Sequence, residues 1–138
     1  MGRILAIDYG KKRTGIAVSD PLKIIAGGLD TLPSHKVILF LKEYSLRESI
    51  DLFLLGEPKQ MNYEVSENME RVLKFREDLQ KAFPAIEIKM IDERFTSVLA
   101  QRAMLEGGLK KKDRQNKSLV DELSAIILLQ TYLESSRL

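Results

Sequence analysis

Three acidic stretches stand where a fold could gather them. Asp8 directly follows the apolar run 4–7 and precedes Gly10 by two residues. Asp92-Glu93-Arg94 follows the segment 86–91. Asp121 opens a long apolar C-terminal segment. Hard oxygen donors of this kind suit Mg²⁺ or Mn²⁺, which are commonly held by a few carboxylates together with substrate phosphate. Metal bound there can activate water for in-line displacement at phosphorus. Two basic knots could supply the phosphate contacts. One is Lys11-Lys12-Arg13; the other is Lys110-Lys111-Lys112 with Arg114 and Lys117. Arg94 could clamp a further phosphate oxygen.

Each of these residues also has a plainer reading. Asp8 could bond its own backbone in a turn. Asp92 or Glu93 could pair with Arg94. Ser118 and Asp121 have the spacing of a helix capping box, with Asp in place of Glu. The basic knots could be solvated loops. Glu57, at the end of another apolar run, could join the acids or face solvent. Side chains alternate along a strand, so Asp92 and Glu93 point to opposite sides and only one can face Asp8. The longer reach of Glu93 favours it, and the choice stays open at this level.

Other chemistries are excluded more firmly. The chain has no cysteine, which removes thiolate nucleophiles, disulfides and cysteine-bound zinc. Its one histidine, His35, stands beside Pro33 and Ser34 and reads as a surface residue, so a serine–histidine triad is not expected.

The elements that must position the acids emerge from hydrophobic periodicity. Residues 3–8 read as a buried strand, 10–15 as a glycine-rich turn and 15–19 as a second strand pairing with the first. Residues 24–32 suggest a third strand, loosened by Gly27-Gly28. Ser34 can cap a helix carrying Val37, Ile38, Leu41 and Tyr44. Residues 50–55 read as a strand buried on both faces. A helix over 65–83 presents Met69, Val72, Leu73, Leu79 and Phe83 as its stripe, and Pro84 bars its continuation. A fifth strand over 86–91 leads into Asp92. Thr96 or Ser97 can cap a short helix to Glu106, ended by Gly107-Gly108. A last helix runs over 118–135. The order βββαβαβαα implies a mixed five-stranded α/β sheet flanked by helices, with residues 1–138 forming one domain.

The bulk properties fit such a domain. Of 138 residues, 44% are hydrophobic and 30% charged, an ordinary globular balance. The net charge of +2 does not by itself indicate a nucleic-acid partner, so the local basic clusters carry that argument. No apolar run approaches the roughly 20 residues that span a bilayer. The N-terminus does not read as a signal peptide, and a cytoplasmic location is expected.

Taken in order, several segments resemble the YqgF/RuvX family. They are Asp8-x-Gly10 with Gly15-Ile16-Ala17-Val18-Ser19, Leu55-Gly56-x-Pro58, Asp92-Glu93-Arg94-x-Thr96, Lys117-x-x-Val120-Asp121 and Ile127-Leu128-x-Gln130-x-Tyr132-Leu133. The resemblance implies an RNase H-like fold related to the RuvC Holliday-junction resolvases. It also implies a nuclease of ribosome biogenesis, acting at the 5′ end of pre-16S rRNA. The family's acids fall on Asp8, the Asp92-Glu93 pair and Asp121, with Asp8, Glu93 and Asp121 as the expected metal ligands. Lys11, Tyr63 and Ser124 depart from the family's usual Thr, Gly and Ala. Two other functions fit the same resemblance: resolution of four-way DNA, which predicts a dimer, and non-catalytic rRNA binding during ribosome assembly. The Asp8-x-Gly10 turn also resembles the phosphate loop of actin-like ATPases, but those enzymes need two such domains.

Overall fold

The structure is a computed structural model. It describes residues 2–57, 67–92 and 117–135, with the side chains of 67 and 117–120 outside that description. Five strands form one sheet: β1 (Arg3–Tyr9), β2 (Arg13–Ser19), β3 (Ala26–Pro33), β4 (Ile50–Glu57) and β5 (Glu87–Asp92). Among the described residues three helices accompany them: α1 (Val37–Ser45), α2 (Glu67–Ala82) and α3 (Lys117–Ser135). The sheet order is β3-β2-β1-β4-β5. β1, β2 and β3 pair antiparallel, as their short turns require, while β4 and β5 run parallel to β1. The expected order is therefore found through the described elements. The short helix expected up to Glu106 lies outside the described residues.

Alternation along the strands divides the core into two layers. Leu5 and Ile7 of β1, Ile16 of β2, Phe53 and Leu55 of β4 and Ile88 of β5 pack on one face with α1 and α2. Ile4, Ala6, Ala17, Leu52 and Leu54 pack on the other with Ala125, Leu128, Leu129 and Leu133 of α3. β4 is buried on both faces through 52–56, as its solid apolar run implies. On α1, Val37, Leu41 and Tyr44 are buried as expected.

The stripe on α2 differs from expectation by one residue. Leu73 is 45% exposed, and Phe75 is buried with Val72 and Leu79. The spacing 72, 75, 79 is the helical one, and Leu73 lies about 100° around the helix from Val72. Phe75 stacks on Tyr9 with ring centroids 4.3 Å apart. That contact ties α2 to the end of β1 and is worth about 0.5–1.5 kcal/mol beyond area burial. Burial pushes the Tyr9 phenol above its ordinary value, and the Asp78 carboxylate adds to the rise while Arg71 opposes it.

Ser34 does not cap α1. It begins a 3₁₀ turn, Ser34–Lys36, that leads into the helix. Its hydroxyl instead donates to the Gly10 carbonyl at 2.6 Å. That leaves Thr14 to donate its own hydroxyl to Ser34 Oγ at 2.8 Å. The Ser34 amide also donates to the Lys12 carbonyl at 3.0 Å. One buried serine thus holds the β1–β2 turn from inside. Ser34→Ala is expected to lower unfolding stability by about 1–2 kcal/mol, because it strands a carbonyl and a hydroxyl. Urea denaturation followed by circular dichroism measures it.

Candidate functional site

Asp8 continues the face of β1 that carries Ile4 and Ala6, so its side chain emerges on the α3 side of the sheet, half-buried at the strand end. Across the ladder it pairs with Gly15 of β2. A Cβ on Gly15 would run into the Asp121 carbonyl and sits 3.0 Å from the Glu122 amide nitrogen. Gly15 therefore does not serve as the close of a turn. It lies within β2, and its missing side chain lets the backbone of α3 rest directly on the sheet. Opposed residues in an antiparallel pair have Cβ atoms about 5 Å apart, so Asp8 and Asp121 flank the same glycine.

The small residues on α3 serve the same approach. Ser124 and Ala125 are buried one turn beyond Asp121. Gly28 of β3 does likewise at the sheet edge, where a Cβ would meet the Glu122 side chain. Glycine at that position makes room for Glu122 rather than merely loosening the strand. Because α3 already begins at Lys117, Asp121 lies beyond the first turn, which contains no acid. The capping-box reading of Ser118 and Asp121 is thereby removed.

Asp121 has a basic partner. Arg13 Nε donates to Asp121 Oδ2 at 2.9 Å. Arg13 lies two residues before Gly15 in β2 and so projects on the face that Asp8 uses. Their side chains are 36% and 26% exposed, so the pair contributes at most about 1 kcal/mol to stability. Arg13, expected to meet substrate phosphate, is paired with Asp121 in this structure. Lys11 and Lys12 are exposed. With Gly10, Arg13 and Asp121 they line an open hollow of about 310 Å³.

Asp92 and Glu57 occupy the opposite face. They are register partners at the ends of β5 and β4. Asp92 is two and four residues beyond Met90 and Ile88, which pack on the α1–α2 side. Glu57 continues the row of Phe53 and Leu55. Lys89 and Ile91 alternate with them: Lys89 Nζ lies 5.4 Å from the Tyr132 ring of α3, and Ile91 packs on the α3 layer. Glu93, Arg94, Lys112 and Arg114 lie outside the described residues, as does the Lys117 side chain at the start of α3. His35 is exposed. Among the described residues no three His, Cys, Asp or Glu side chains form a metal-holding group. The described part of the site is thus two carboxylates on one face, with a guanidinium already standing as counter-cation to one of them. The hard oxygen donors suit a divalent ion, while the guanidinium on Asp121 is a cation that such an ion would have to displace or tolerate.

The comparisons with known proteins bear on the family and the fold. Residues 2–135 match the family profile described as RuvX, Holliday junction resolvase. A Bacteroides thetaiotaomicron protein provisionally named a pre-16S rRNA nuclease is 60% identical over 137 residues, covering 99% of each chain. A Flavobacterium johnsoniae protein of the same name is 53% identical over 137 residues, again covering 99% of each chain. Among solved structures, T. thermophilus RuvC in complex with a Holliday junction substrate superposes with a TM-score of 0.61 at 18% identity, covering 99% of this chain and 96% of that one. Fowlpox virus resolvase in complex with Holliday junction DNA gives 0.56 at 14% identity, covering 97% and 98%. These likenesses show the fold, which is RNase H-like as expected.

Proposed function

This chain belongs to the RuvX family of Holliday junction resolvases, and from that membership we propose that it is a divalent-metal-dependent nuclease of structured RNA, processing the 5′ end of pre-16S rRNA in the cytoplasm. As a member of a nuclease family it is a hydrolase of phosphodiester bonds. The observation that supports the metal-dependent reading is that Asp8 and the Asp121 backbone both border Gly15, on one face of the sheet and beside a basic turn.

In this reading one RNase H-like domain carries the whole site. Asp8, Glu93 and Asp121 would hold Mg²⁺ or Mn²⁺. Glu93 is preferred to Asp92 because Asp92 lies on the α1–α2 side of the sheet. Bound there, the ion supplies Lewis-acid stabilisation of the developing charge on phosphate and an activated water. The chain's own groups do the rest. Lys11 and Lys12, on a turn clamped by Ser34, contact backbone phosphates without reading sequence. Arg94, Lys112, Arg114 and Lys117 extend that basic track. α3, seated on Gly15, keeps Asp121 in register with Asp8.

The RNA substrate is favoured by the names of the close relatives. Four-way DNA is the second reading, favoured by the family's description and by the likeness to resolvases. The two are separated by presenting a 5′-extended 16S rRNA fragment and a four-way DNA junction to the same preparation, with Mg²⁺ or Mn²⁺. Cleavage of the RNA is expected, with none of the junction, and EDTA is expected to stop it. Junction cutting with intact RNA would replace the first substrate by the second. Undiminished RNA cleavage in EDTA would refute the metal.

A further inference from the structure

Building on that metal-dependent reading, we propose that Arg13 is a positioning residue that competes with the divalent ion for Asp121, so that Arg13 sets how tightly the site takes its metal. The guanidinium donates through Nε to Asp121 Oδ2 at 2.9 Å. It projects on the same face as Asp8, the other described donor. A divalent ion accepted by Asp8 and Asp121 therefore arrives beside a fixed positive charge. Mg²⁺ also demands close, well-aimed oxygens, and an oxygen engaged by a guanidinium is less available to it.

Both partners of the pair keep substantial contact with solvent, so the contact can open without stranding a buried charge. Arg13 also has somewhere to go. It stands at the end of the turn that carries Lys11 and Lys12, along the hollow these residues share with Asp121. A guanidinium displaced from Asp121 remains at the place where substrate phosphate is expected, and its planar fork suits two phosphate oxygens. The device keeps Asp121 compensated while the site is empty and turns the arginine toward phosphate when the site is filled.

A purely structural staple between the β1–β2 turn and α3 makes the opposite prediction. Removing it would loosen Asp121 and weaken metal binding. The test is titration of the full chain with Mn²⁺ alone, at low ionic strength and without nucleic acid, read by calorimetry or by the electron-spin signal of unbound Mn²⁺. Arg13→Gln is expected to bind Mn²⁺ about tenfold more tightly, the size of removing one positive charge roughly 5 Å from a divalent ion in a water-like medium. Arg13→Lys, which keeps the charge on a more mobile stem, is expected to fall between the two. Circular dichroism confirms that both variants fold. Unchanged or weaker Mn²⁺ binding by folded Arg13→Gln overturns the inference. If the parent binds Mn²⁺, loses it in Asp8→Asn and is insensitive at Arg13, the proposed function stands and only this inference falls. If the parent binds no Mn²⁺ at all, the metal reading falls and takes the inference with it.

Discussion

Asp8→Asn is expected to lower the turnover of RNA cleavage by about 10³-fold under saturating Mg²⁺. A metal's share in stabilising the transition state is several kcal/mol, and each decade of rate corresponds to about 1.4 kcal/mol. Asn keeps the size and one oxygen of Asp but not its charge, so affinity and placement of the ion both suffer. The fold is not at stake, because Asp8 lies half-buried at the end of β1 beyond the packed layer formed by Ile4 and Ala6. Thermal unfolding within a few degrees of the parent is therefore expected. Asp92→Asn is the informative partner, since Asp92 shares its face with Ile88 and Met90. It should cost no more than about 10–100-fold, an effect the size of disturbing a neighbour of the site rather than a ligand. Steady-state cleavage of the 5′-extended rRNA fragment by both variants measures the contrast. Equal losses would place Asp92 among the ligands, and an active Asp8→Asn would remove Asp8 from them.

Gly15→Ala is expected to damage the protein severely. The new carbon collides with backbone at Asp121 and Glu122, which cannot rotate away as a side chain can. Either α3 lifts from the sheet or β2 bends. Overpacking of this kind costs typically 1–3 kcal/mol and occasionally more. Lifting α3 would also loosen the layer formed by Ala125, Leu128, Leu129 and Leu133. A loss of about 3 kcal/mol or more in urea unfolding is expected. Activity should fall as well, because the segment displaced is the one bearing Asp121. Gly28→Ala is the control. There the added carbon meets the Glu122 carboxylate end, which is flexible, and a loss below about 1 kcal/mol is expected. Similar losses at the two glycines would remove the special role given to Gly15.

Asp8 was legible as a strand-end acid because a solid apolar run ending in a carboxylate has few other readings. The same holds for β4, whose run is buried on both sides. α2 was legible as a helix but not in its detail. Leu73 is apolar yet exposed, while Phe75 is buried at a position that keeps the helical period from Val72 to Leu79. Closer attention to spacing could have found Phe75. Nothing in local spacing could have found the use made of Ser34. A serine after proline and before an apolar helix reads as a cap, and only the arrival of Gly10 and Thr14 beside it gives its hydroxyl better partners.

The sequence by itself determined the strands along the chain and the absence of cysteine, and it offered the acids and basic turns as candidates. These depend on residue type and short-range period, which belong to the chain wherever it folds. The tertiary structure decided how those residues meet. It set Asp92 on the side away from Asp8, because the register of β5 beside β4 fixes which alternate side chains face α3. It gave Arg13 to Asp121 across 108 positions of sequence. It made Gly15 a seat for a helix rather than part of a turn, because whether a missing side chain admits solvent, phosphate or backbone depends on what packs above it.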